Sequence, residues 1–244
     1  MEPGGPLTAS AEGKAERVRG MFDGIAPRYD LLNRVLSLGL DRRWRHEAAT
    51  LGLEGGRADV LDVATGTGDL ALKLRSLAPF ARVTGLDFSP GMIRLAEAKA
   101  EQRGEDIRFI TGDAQALPFA DASFDLVTIA YGLRNLELPE QGMSEFHRVL
   151  RPAGRLVVLE FPPPPKGVFG RLVRSYFRNI LPRIGGLVSG SRAAYTYLPE
   201  SVVAFSTPQA LAAQLRTAGF DTVRFRLQSM GLSAVHVADR AAES

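Results

Sequence analysis

Two glycines and an acidic residue form the spacing with the clearest chemical meaning in this chain. Gly66 and Gly68 lie in the segment Thr65-Gly66-Thr67-Gly68, which directly follows a short apolar run. Because glycine has no Cβ, such a turn can bend sharply and let the backbone come close to a ligand. Asp87 follows 21 positions after Gly66, about the distance at which an acid binds the ribose hydroxyls in nucleotide-binding folds. The spacing therefore predicts a ligand that carries an adenosine-type ribose.

Three predicted elements hold this turn and this acid in position. Residues 60–64 form a nearly continuous apolar run, typical of a strand that is buried on both faces of a parallel sheet. Residues 69–74 open a helix directly after the turn, and residues 82–87 form a second strand that ends in the acid. Together, the strand, the glycine turn and the helix predict the first unit of a nucleotide-binding α/β fold.

Further strands and helices alternate along the chain. The pattern predicts helices at 92–103, 139–150 and 207–219, with strands at 107–110, 124–130, 155–161, 223–227 and 234–237. Strands that alternate with helices indicate a doubly wound sheet, and we expect the last two strands to form an antiparallel pair at its end. The sequence thus predicts a mixed seven-stranded sheet with helices on both faces.

One domain is expected over residues 14–244, preceded by a disordered segment that is rich in Gly, Pro, Ala and Ser. The first part of this domain either caps the sheet or closes over the ligand pocket as a lid. Tyr29, Asp30, Asn33 and Trp44 favour the lid, because such residues are costly in a plain cap. The expected parts are a disordered N-terminus at 1–13, a helical lid at 14–57, a cofactor-binding core at 58–161, a helical insertion at 162–205, and a C-terminal helix and strand pair at 206–238.

Composition restricts the class of protein. Hydrophobic residues make up 45% of the 244 residues, which is ample for a buried core, and the net charge is +3. The absence of cysteine excludes disulfides and thiolate metal sites and favours an intracellular enzyme. The histidines, His46, His147 and His236, show no metal-ligand spacing, so no metal is expected. No apolar run approaches the roughly 18 residues that span a bilayer, and neither a signal peptide nor a nucleic-acid partner is expected.

The identity of the nucleotide depends on more than the glycine turn. The segment Gly66-x-Gly68-x-x-Ala71 fits the dinucleotide fingerprint, which is weak support when it stands alone. A nicotinamide cofactor is disfavoured, because the fifth strand leads into a hairpin and not into a second nucleotide-binding half. A short-chain dehydrogenase is also disfavoured, because the chain contains no Tyr-x-x-x-Lys pair that could donate a proton.

S-adenosylmethionine suits the pattern better than a dinucleotide does. It has no pyrophosphate, so a single glycine-rich turn can wrap its methionine end. Asp113 and Ala114 follow the third strand and suit adenine, because the carboxylate can accept from the exocyclic amine while the next backbone amide donates to a ring nitrogen. Asp113 could instead cap the loop that follows it, and both alternatives stay open at this point.

Several motifs resemble those of a known family. They are Met21-Phe22-Asp23-x-Ile25-Ala26-x-x-Tyr29-Asp30-x-x-Asn33, Leu61-Asp62-Val63-Ala64-Thr65-Gly66-Thr67-Gly68-Asp69, Gly112-Asp113-Ala114, Gly132-Leu133-Arg134-Asn135, Leu159-Glu160-Phe161 and Tyr195-x-Tyr197-Leu198-Pro199-x-Ser201-x-x-x-Phe205. Over roughly residues 14–238 the chain is similar to the ubiquinone/menaquinone biosynthesis C-methyltransferases. The resemblance implies a class I S-adenosylmethionine-dependent methyltransferase with a Rossmann-like fold.

The resemblance also implies an activity and a set of contacts. The family methylates a ring carbon of a prenylated quinol with S-adenosylmethionine and without a metal. Its cofactor contacts correspond here to Thr67, Asp87, Asp113 and Ala114. Ala130 departs from the serine that is frequent in the family, so a hydroxyl contact is lost here. With the rest of the turn and the residue after Asp87 included, the expected cofactor contacts are Thr65, Gly66, Thr67, Gly68, Asp87, Phe88, Asp113 and Ala114.

The implied reaction needs help with one proton. A quinol ring carbon becomes nucleophilic only when an adjacent hydroxyl is deprotonated and its charge spreads into the ring. Arg134 and Asn135 follow the fourth strand, at the carboxyl edge where such sheets bind ligands. The guanidinium could stabilise the phenolate or orient a water that takes the proton, and Asn135 could orient the ring oxygen or that water. Arg134 could instead pair with Glu160 and brace the loop, while Tyr29 and Tyr195 are weaker candidates for the ring pocket.

These observations predict an enzyme that converts demethylmenaquinol, a prenylated naphthoquinol, to menaquinol. The benzoquinol of the ubiquinone pathway is the alternative substrate. Two alternatives belong to other classes: a nicotinamide-dependent oxidoreductase, and a non-catalytic protein that binds an adenosyl ligand within a quinone-pathway complex. We expect a cytoplasmic protein in peripheral contact with the inner face of the membrane that holds its substrate.

The segment from Phe161 to Pro199 carries six basic residues and no Asp or Glu. At about 100° per residue, a helix here is expected to place Phe169, Leu172, Val173, Tyr176, Phe177 and Ile180 on one face and Arg171, Arg174 and Arg178 on the other. A basic amphipathic helix of this kind suits the surface of an anionic membrane. The same apolar face could instead pack on the sheet as core, with the arginines merely solvated.

Overall fold

The structure is a computed structural model that describes residues 39–176 and 201–243, together with Gly20, Asp30, Leu31, Arg34, Ser37 and Asn179, and only the backbone of Phe169. The helices are α1 (Leu40–Leu53), α2 (Asp69–Leu77), α3 (Pro90–Gln102), α4 (Pro139–Val149), α5 (Gly167–Ser175) and α6 (Pro208–Thr217). The strands are β1 (Asp59–Val63), β2 (Arg82–Asp87), β3 (Arg108–Thr111), β4 (Phe124–Ala130), β5 (Leu150–Glu160), β6 (Thr222–Gln228) and β7 (Ser233–Asp239). Short 3-10 helices follow β4 at Leu133–Asn135 and β6 at Ser229–Gly231.

The strands form one seven-stranded sheet in the order β3-β2-β1-β4-β5-β7-β6. Strands β1 to β5 are parallel, and β7 is antiparallel to both of its neighbours. The predicted mixed sheet with an antiparallel pair at its end is therefore confirmed. The strand order reverses between β1 and β4, and the crevice at such a point is where open α/β sheets bind ligands.

Two of the helices begin with a side-chain capping bond. Ser89 precedes α3, and its side chain accepts a hydrogen bond from the backbone N–H of Met92. Thr207 precedes α6 and accepts in the same way from the N–H of Ala210. A proline occupies the first helical turn in both cases, where its missing N–H costs nothing because that group would have no helical partner.

Strand β5 begins earlier than the sequence pattern predicts. We expected a helix to residue 150 and a strand from Arg155, but β5 already starts at Leu150, which pairs with Phe124 of β4. The ladder shifts register after this pair, and Ala153 has a φ of 58°. Residues 151–154 thus lie in an irregular stretch of strand, because the neighbouring strand supplies a pairing partner that the local sequence does not reveal.

The hydrophobic core lies on both faces of the sheet. On one face α4 and α6 pack with side chains such as Phe146 and Leu215, and on the other face α1, α2 and α3 pack with side chains such as Trp44 and Leu74. Full burial of one large apolar side chain contributes about 1.5–3 kcal/mol. Trp44, which favoured the lid, is only 2% exposed and belongs to this core. The proposed lid and insertion are described only in part, so closure of a lid stays a prediction.

Candidate active site

An open cavity lies at the carboxyl edge of the sheet. It is built by the segments that follow the parallel strands, at the place where the strand order reverses. The polar groups that converge on it come from several strands, as is usual for ligand sites in such sheets. Its wall is formed by Ala64, Gly66, 86–89, Met92, 112–115, 130–132 and 135–137.

The expected cofactor residues fall into two groups. Gly66, Asp87, Phe88, Asp113 and Ala114 line the cavity, so the structure brings together groups from three successive strand ends. Phe88 is 41% exposed, which leaves its ring accessible beside the acid. Outside the wall, but within the same turn, lie Thr65, Thr67 and Gly68.

The carboxylate of Asp87 is held by the backbone around it. Its Oδ2 accepts a hydrogen bond from the N–H of Gly66 at 2.8 Å, and its Oδ1 accepts from the N–H of Ser89 at 2.9 Å. Carboxylate oxygens can accept further bonds, because the group offers about four lone-pair sites. Asp87 therefore fixes the glycine turn against β2 while it presents acceptor capacity on the cavity wall.

Asp113 makes the loop-capping contact that was one of its two alternatives. Its Oδ1 accepts from the backbone N–H of Gln115 at 2.9 Å and from the Gln115 side chain at 3.2 Å. Gln115 in turn accepts from the N–H of Leu138 at 2.6 Å. Contact with adenine stays a prediction, which the position of Asp113 on the cavity wall permits.

Arg134 and Asn135 are separated by the fold. Asn135 lines the cavity, whereas Arg134 lies behind the wall and pairs with Glu160 at 2.6 Å. The side chains of the pair are only 6% and 2% exposed. Arg134 also donates to the backbone carbonyl of Tyr131 at 2.6 Å, and the Asn135 side chain donates to the same carbonyl at 3.2 Å. The alternative in which Arg134 pairs with Glu160 is confirmed, and direct contact of its guanidinium with substrate stays a prediction.

Tyr131 is a cavity residue that the sequence analysis did not select. Its ring stacks on Phe161 at a centroid distance of 4.3 Å, and the guanidinium carbon of Arg45 lies 5.3 Å from its centroid. Burial raises the pKa of the Tyr131 hydroxyl above its ordinary value. Its place directly after β4 is the signal that could have identified it, because Asn135 was selected on the same ground.

Glu137 is a second residue that was missed. It lines the cavity, and its buried Oε1 has no hydrogen-bond partner within the described part of the chain. The other carboxylates on the wall, Asp87 and Asp113, accept hydrogen bonds from nearby groups. Tyr29 and Tyr195, the other candidates for the ring pocket, lie outside the described residues. Within the described ranges no cluster of three metal-ligating side chains occurs.

Comparison with known proteins identifies the family. The model of the ubiE/COQ5 methyltransferase family matches residues 10–240 of this chain. The chain belongs to the ubiE/COQ5 methyltransferase family. A demethylmenaquinone methyltransferase from Thermus thermophilus is 57% identical over 90% of this chain and 100% of its own length. A second, from Deinococcus radiodurans, is 53% identical over 96% of this chain and 97% of its own. A ubiquinone/menaquinone biosynthesis C-methyltransferase from Geobacter sulfurreducens is 45% identical over 93% of this chain and 90% of its own.

Solved structures confirm the fold of this methyltransferase. The [4+2]-cyclase SpnF superposes with a TM-score of 0.71 at 18% identity and covers 99% of this chain and 100% of its own. A SAM-dependent methyltransferase from Thermotoga maritima gives a TM-score of 0.66 at 19% identity, over 91% of this chain and 99% of its own. At such identities the likeness shows a class I Rossmann-like fold and no particular reaction. Family membership, in contrast, implies S-adenosylmethionine as methyl donor and decides against the nicotinamide-dependent oxidoreductase.

Asp62 supports the glycine turn of the methyltransferase from inside the sheet. Its Oδ2 accepts from the hydroxyl of Thr65 at 2.6 Å and its Oδ1 from that of Thr128 at 2.7 Å. Burial raises the pKa of Asp62 to about 6, although these hydroxyls and the charge of Arg45 lower it. The sequence analysis placed Asp62 in a family motif without a role, and its contacts now connect β1 and β4 to the turn.

We expect the stability of the methyltransferase to reflect this raised pKa. Relative to Asp62→Asn, the free energy of unfolding of the wild type should fall by about 3 kcal/mol between about pH 3 and about pH 7. An aspartate in the unfolded chain ionises near 3.9, whereas Asp62 in the folded protein ionises at about 6. The contribution of the Asp62 carboxyl to stability is therefore fully present below its pKa in the unfolded chain. It is lost as the pH rises through its pKa in the folded protein. Urea unfolding of both proteins across this pH range measures the difference, and a constant difference contradicts the raised pKa.

Proposed function

We propose that this protein transfers the methyl group of S-adenosylmethionine to a ring carbon of demethylmenaquinol, giving menaquinol. The observation that carries the proposal is the 57% identity to a demethylmenaquinone methyltransferase over the full length of that relative. The cavity adds physical support, because it joins acids suited to a nucleoside with Asn135, a side chain suited to a ring oxygen.

The cavity wall offers a donor and acceptor set that fits the cofactor. Asp87 can accept from the ribose hydroxyls, as the spacing from Gly66 suggests. Asp113 and the backbone N–H of Ala114 offer an acceptor and a donor to adenine, and the ring of Phe88 lies beside them. When bound, the sulfonium supplies an electrophilic methyl group.

The protein must align the quinol ring with the methyl group and assist removal of the phenolic proton. Alignment of the ring carbon with the methyl group can contribute roughly 7–11 kcal/mol to the lowering of the barrier. Asn135 can orient the quinol oxygen from the cavity wall, and Arg134 holds the loop that carries Asn135. Glu137 Oε1 is an acceptor on the same wall that could receive the phenolic proton. These roles follow from position and hydrogen-bonding capacity.

One experiment decides between the substrates and the non-catalytic alternative. The pure protein is incubated with S-adenosylmethionine labelled in the methyl group and with each reduced quinone in turn. We expect label in the naphthoquinol product. Label in the benzoquinol alone would favour the ubiquinone pathway. Binding of S-adenosylhomocysteine without label in either quinol would favour the non-catalytic protein.

Helix α5 supports a membrane-facing role for the insertion. Val168 and Leu172 are 64% and 65% exposed, and Arg171 and Arg174 are exposed on the same short helix. Apolar side chains beside basic ones match the surface of an anionic membrane, which is where a polyprenyl quinol resides.

The rest of the predicted helix is not described, because Phe177, Arg178 and Ile180 lie outside the described residues. No helix within the described ranges is both long and apolar enough to cross a bilayer. We propose that the exposed side chains of α5 contact the inner surface of the cytoplasmic membrane.

We expect Arg171, Arg174 and Arg178 changed together to Gln to weaken binding to anionic vesicles. Each basic residue near such a surface contributes roughly 1 kcal/mol, and the contribution falls as salt screens it. Vesicle sedimentation at increasing salt measures the binding. Turnover of a long-chain quinol should fall with it, while turnover of a short-chain quinol should survive.

A control variant removes two positive charges elsewhere on the surface. Arg94 and Arg103 are exposed on or next to α3, and changing both to Gln should leave vesicle binding unchanged. Equal loss of turnover on long and short quinols, or no vesicle binding by the wild type at any salt, contradicts the membrane-facing role.

A further inference from the structure

A lysine on α3 connects three parts of the chain behind the glycine turn. The ammonium group of Lys99 donates to Asp30 Oδ2 at 2.5 Å, to Thr67 Oγ1 at 2.9 Å and to Asp69 Oδ1 at 2.8 Å. An ammonium group has three donors, so all of its hydrogen-bonding capacity is used. We call these four residues the Lys99 cluster.

A fourth hydrogen bond closes the Lys99 cluster into a ring. The hydroxyl of Thr67 donates to Asp30 Oδ1 at 2.5 Å, while Lys99 donates to the other oxygen of the same carboxylate. Thr67 is buried within the glycine turn, and Asp69 is the first residue of α2. Asp30, which lies before α1 in the chain, is thus bound to the turn through Oδ1 and to α3 through Oδ2.

Lys99 is the only positively charged residue of the Lys99 cluster, and it pairs with both carboxylates. Asp30 and Asp69 are two carboxylates that both pair with Lys99, and their side chains are 32% and 30% exposed against 18% for Lys99. Partial burial limits screening by solvent, so loss of the cation leaves like charges that repel each other across the turn. Burial raises the pKa of Asp69, but the charge and hydrogen bond of Lys99, together with the charges of Arg45 and Arg103, lower it overall.

We propose that Lys99 is a positioning residue for the cofactor site. It binds both Asp30 and Thr67, holds them in contact, and so fixes the glycine turn in its binding geometry. The inference rests on the proposed binding of S-adenosylmethionine at this turn. The neighbouring residue Gly66 lines the cavity and donates its N–H to Asp87. Displacement of Thr67 would therefore also move Gly66, whose N–H holds the carboxylate of Asp87.

The test compares single and double variants in the binding of S-adenosylhomocysteine by calorimetry. Lys99→Met should weaken binding about tenfold or more, the size expected from loss of charged hydrogen bonds. Asp30→Asn in the Lys99→Met background should restore part of the affinity, because it removes one of the two repelling carboxylates. The loss in Lys99→Met should also change with salt, since the repulsion that it exposes is screened.

Controls separate positioning from a general loss of structure. Arg94→Gln removes an exposed charge from the same helix, α3, and should bind S-adenosylhomocysteine like the wild type. Circular dichroism and thermal unfolding show that each variant is folded at the temperature of the binding measurement. Affinity of Lys99→Met within about twofold of wild type, or equal loss in the double variant, overturns the inference. Absence of binding by the wild type itself would instead contradict the proposed function.

Discussion

Replacement of Arg134 by alanine is expected to lower both the stability of the fold and kcat. Arg134 and Glu160 form an ion pair with almost no exposure to solvent, and removal of one partner from such a pair costs about 3–5 kcal/mol. Burial raises the pKa of Glu160 even with Arg134 present, so a lone Glu160 is harder still to keep ionised. The free energy of unfolding from urea titration measures this loss.

The expected loss of kcat is about 10²-fold, the cost expected when a substrate-orienting group is misplaced by about 1 Å. Arg134 and Asn135 share the carbonyl of Tyr131 as acceptor, so loss of the guanidinium frees the loop that presents Asn135 to the cavity. Affinity for S-adenosylhomocysteine should stay nearly intact, because Asp87 and Asp113 belong to other strand ends. Single-turnover methylation and calorimetry measure the two quantities separately.

A double variant separates the bracing role from direct contact with substrate. Arg134→Met with Glu160→Gln removes both charges and leaves no uncompensated carboxylate in the interior. We expect this variant to recover most of the stability and part of kcat, because a bracing role depends on the loop and not on the charge. Recovery of stability with no recovery of kcat would favour contact between the guanidinium and the phenolate.

Replacement of Asp87 by alanine is expected to weaken binding of S-adenosylhomocysteine by roughly 2 kcal/mol or more, about 30-fold. The ribose hydroxyls lose a charged acceptor. The N–H groups of Gly66 and Ser89 also lose the carboxylate that holds them, so the turn loosens as well. Calorimetry on the folded variant measures the change.

Two further variants make the result specific to the site. Asp87→Asn keeps one acceptor oxygen and should lose less affinity than Asp87→Ala. Asp106→Ala removes an exposed carboxylate from the loop before β3 and should bind like the wild type. If Asp87→Ala keeps its affinity while folded, Asp87 does not contact the cofactor.

The positions of the elements and the glycine turn could be predicted from the sequence because their signals are local. The apolar run at 60–64 fixes a buried strand, and Gly68 adopts the left-handed conformation, with φ of 79°, that the turn requires. Ser89 and Thr207, each directly before a proline, form caps that depend on a few neighbouring residues alone. Periodicity and backbone chemistry within a few residues are sufficient for such features.

Contacts between distant residues were decided only by the tertiary structure. Arg134 could have faced the substrate or Glu160, and the pairing of β4 with β5 places the acid where the guanidinium meets it. The start of β5 at Leu150 depends in the same way on Phe124 in the neighbouring strand. Neither outcome follows from spacing along the chain, because each depends on which strands become neighbours.

Sequence patterns were sufficient to predict the fold class, the cofactor edge of the sheet and the family of the enzyme. Only the tertiary structure brought Lys99 to Asp30 and Asp69, which are 69 and 30 positions away from it in the chain. It also placed Tyr131 and Glu137 on the cavity wall and Arg134 behind it. The physical reason is that periodic patterns encode which face of an element is buried, whereas the packing of elements decides which polar side chains meet there.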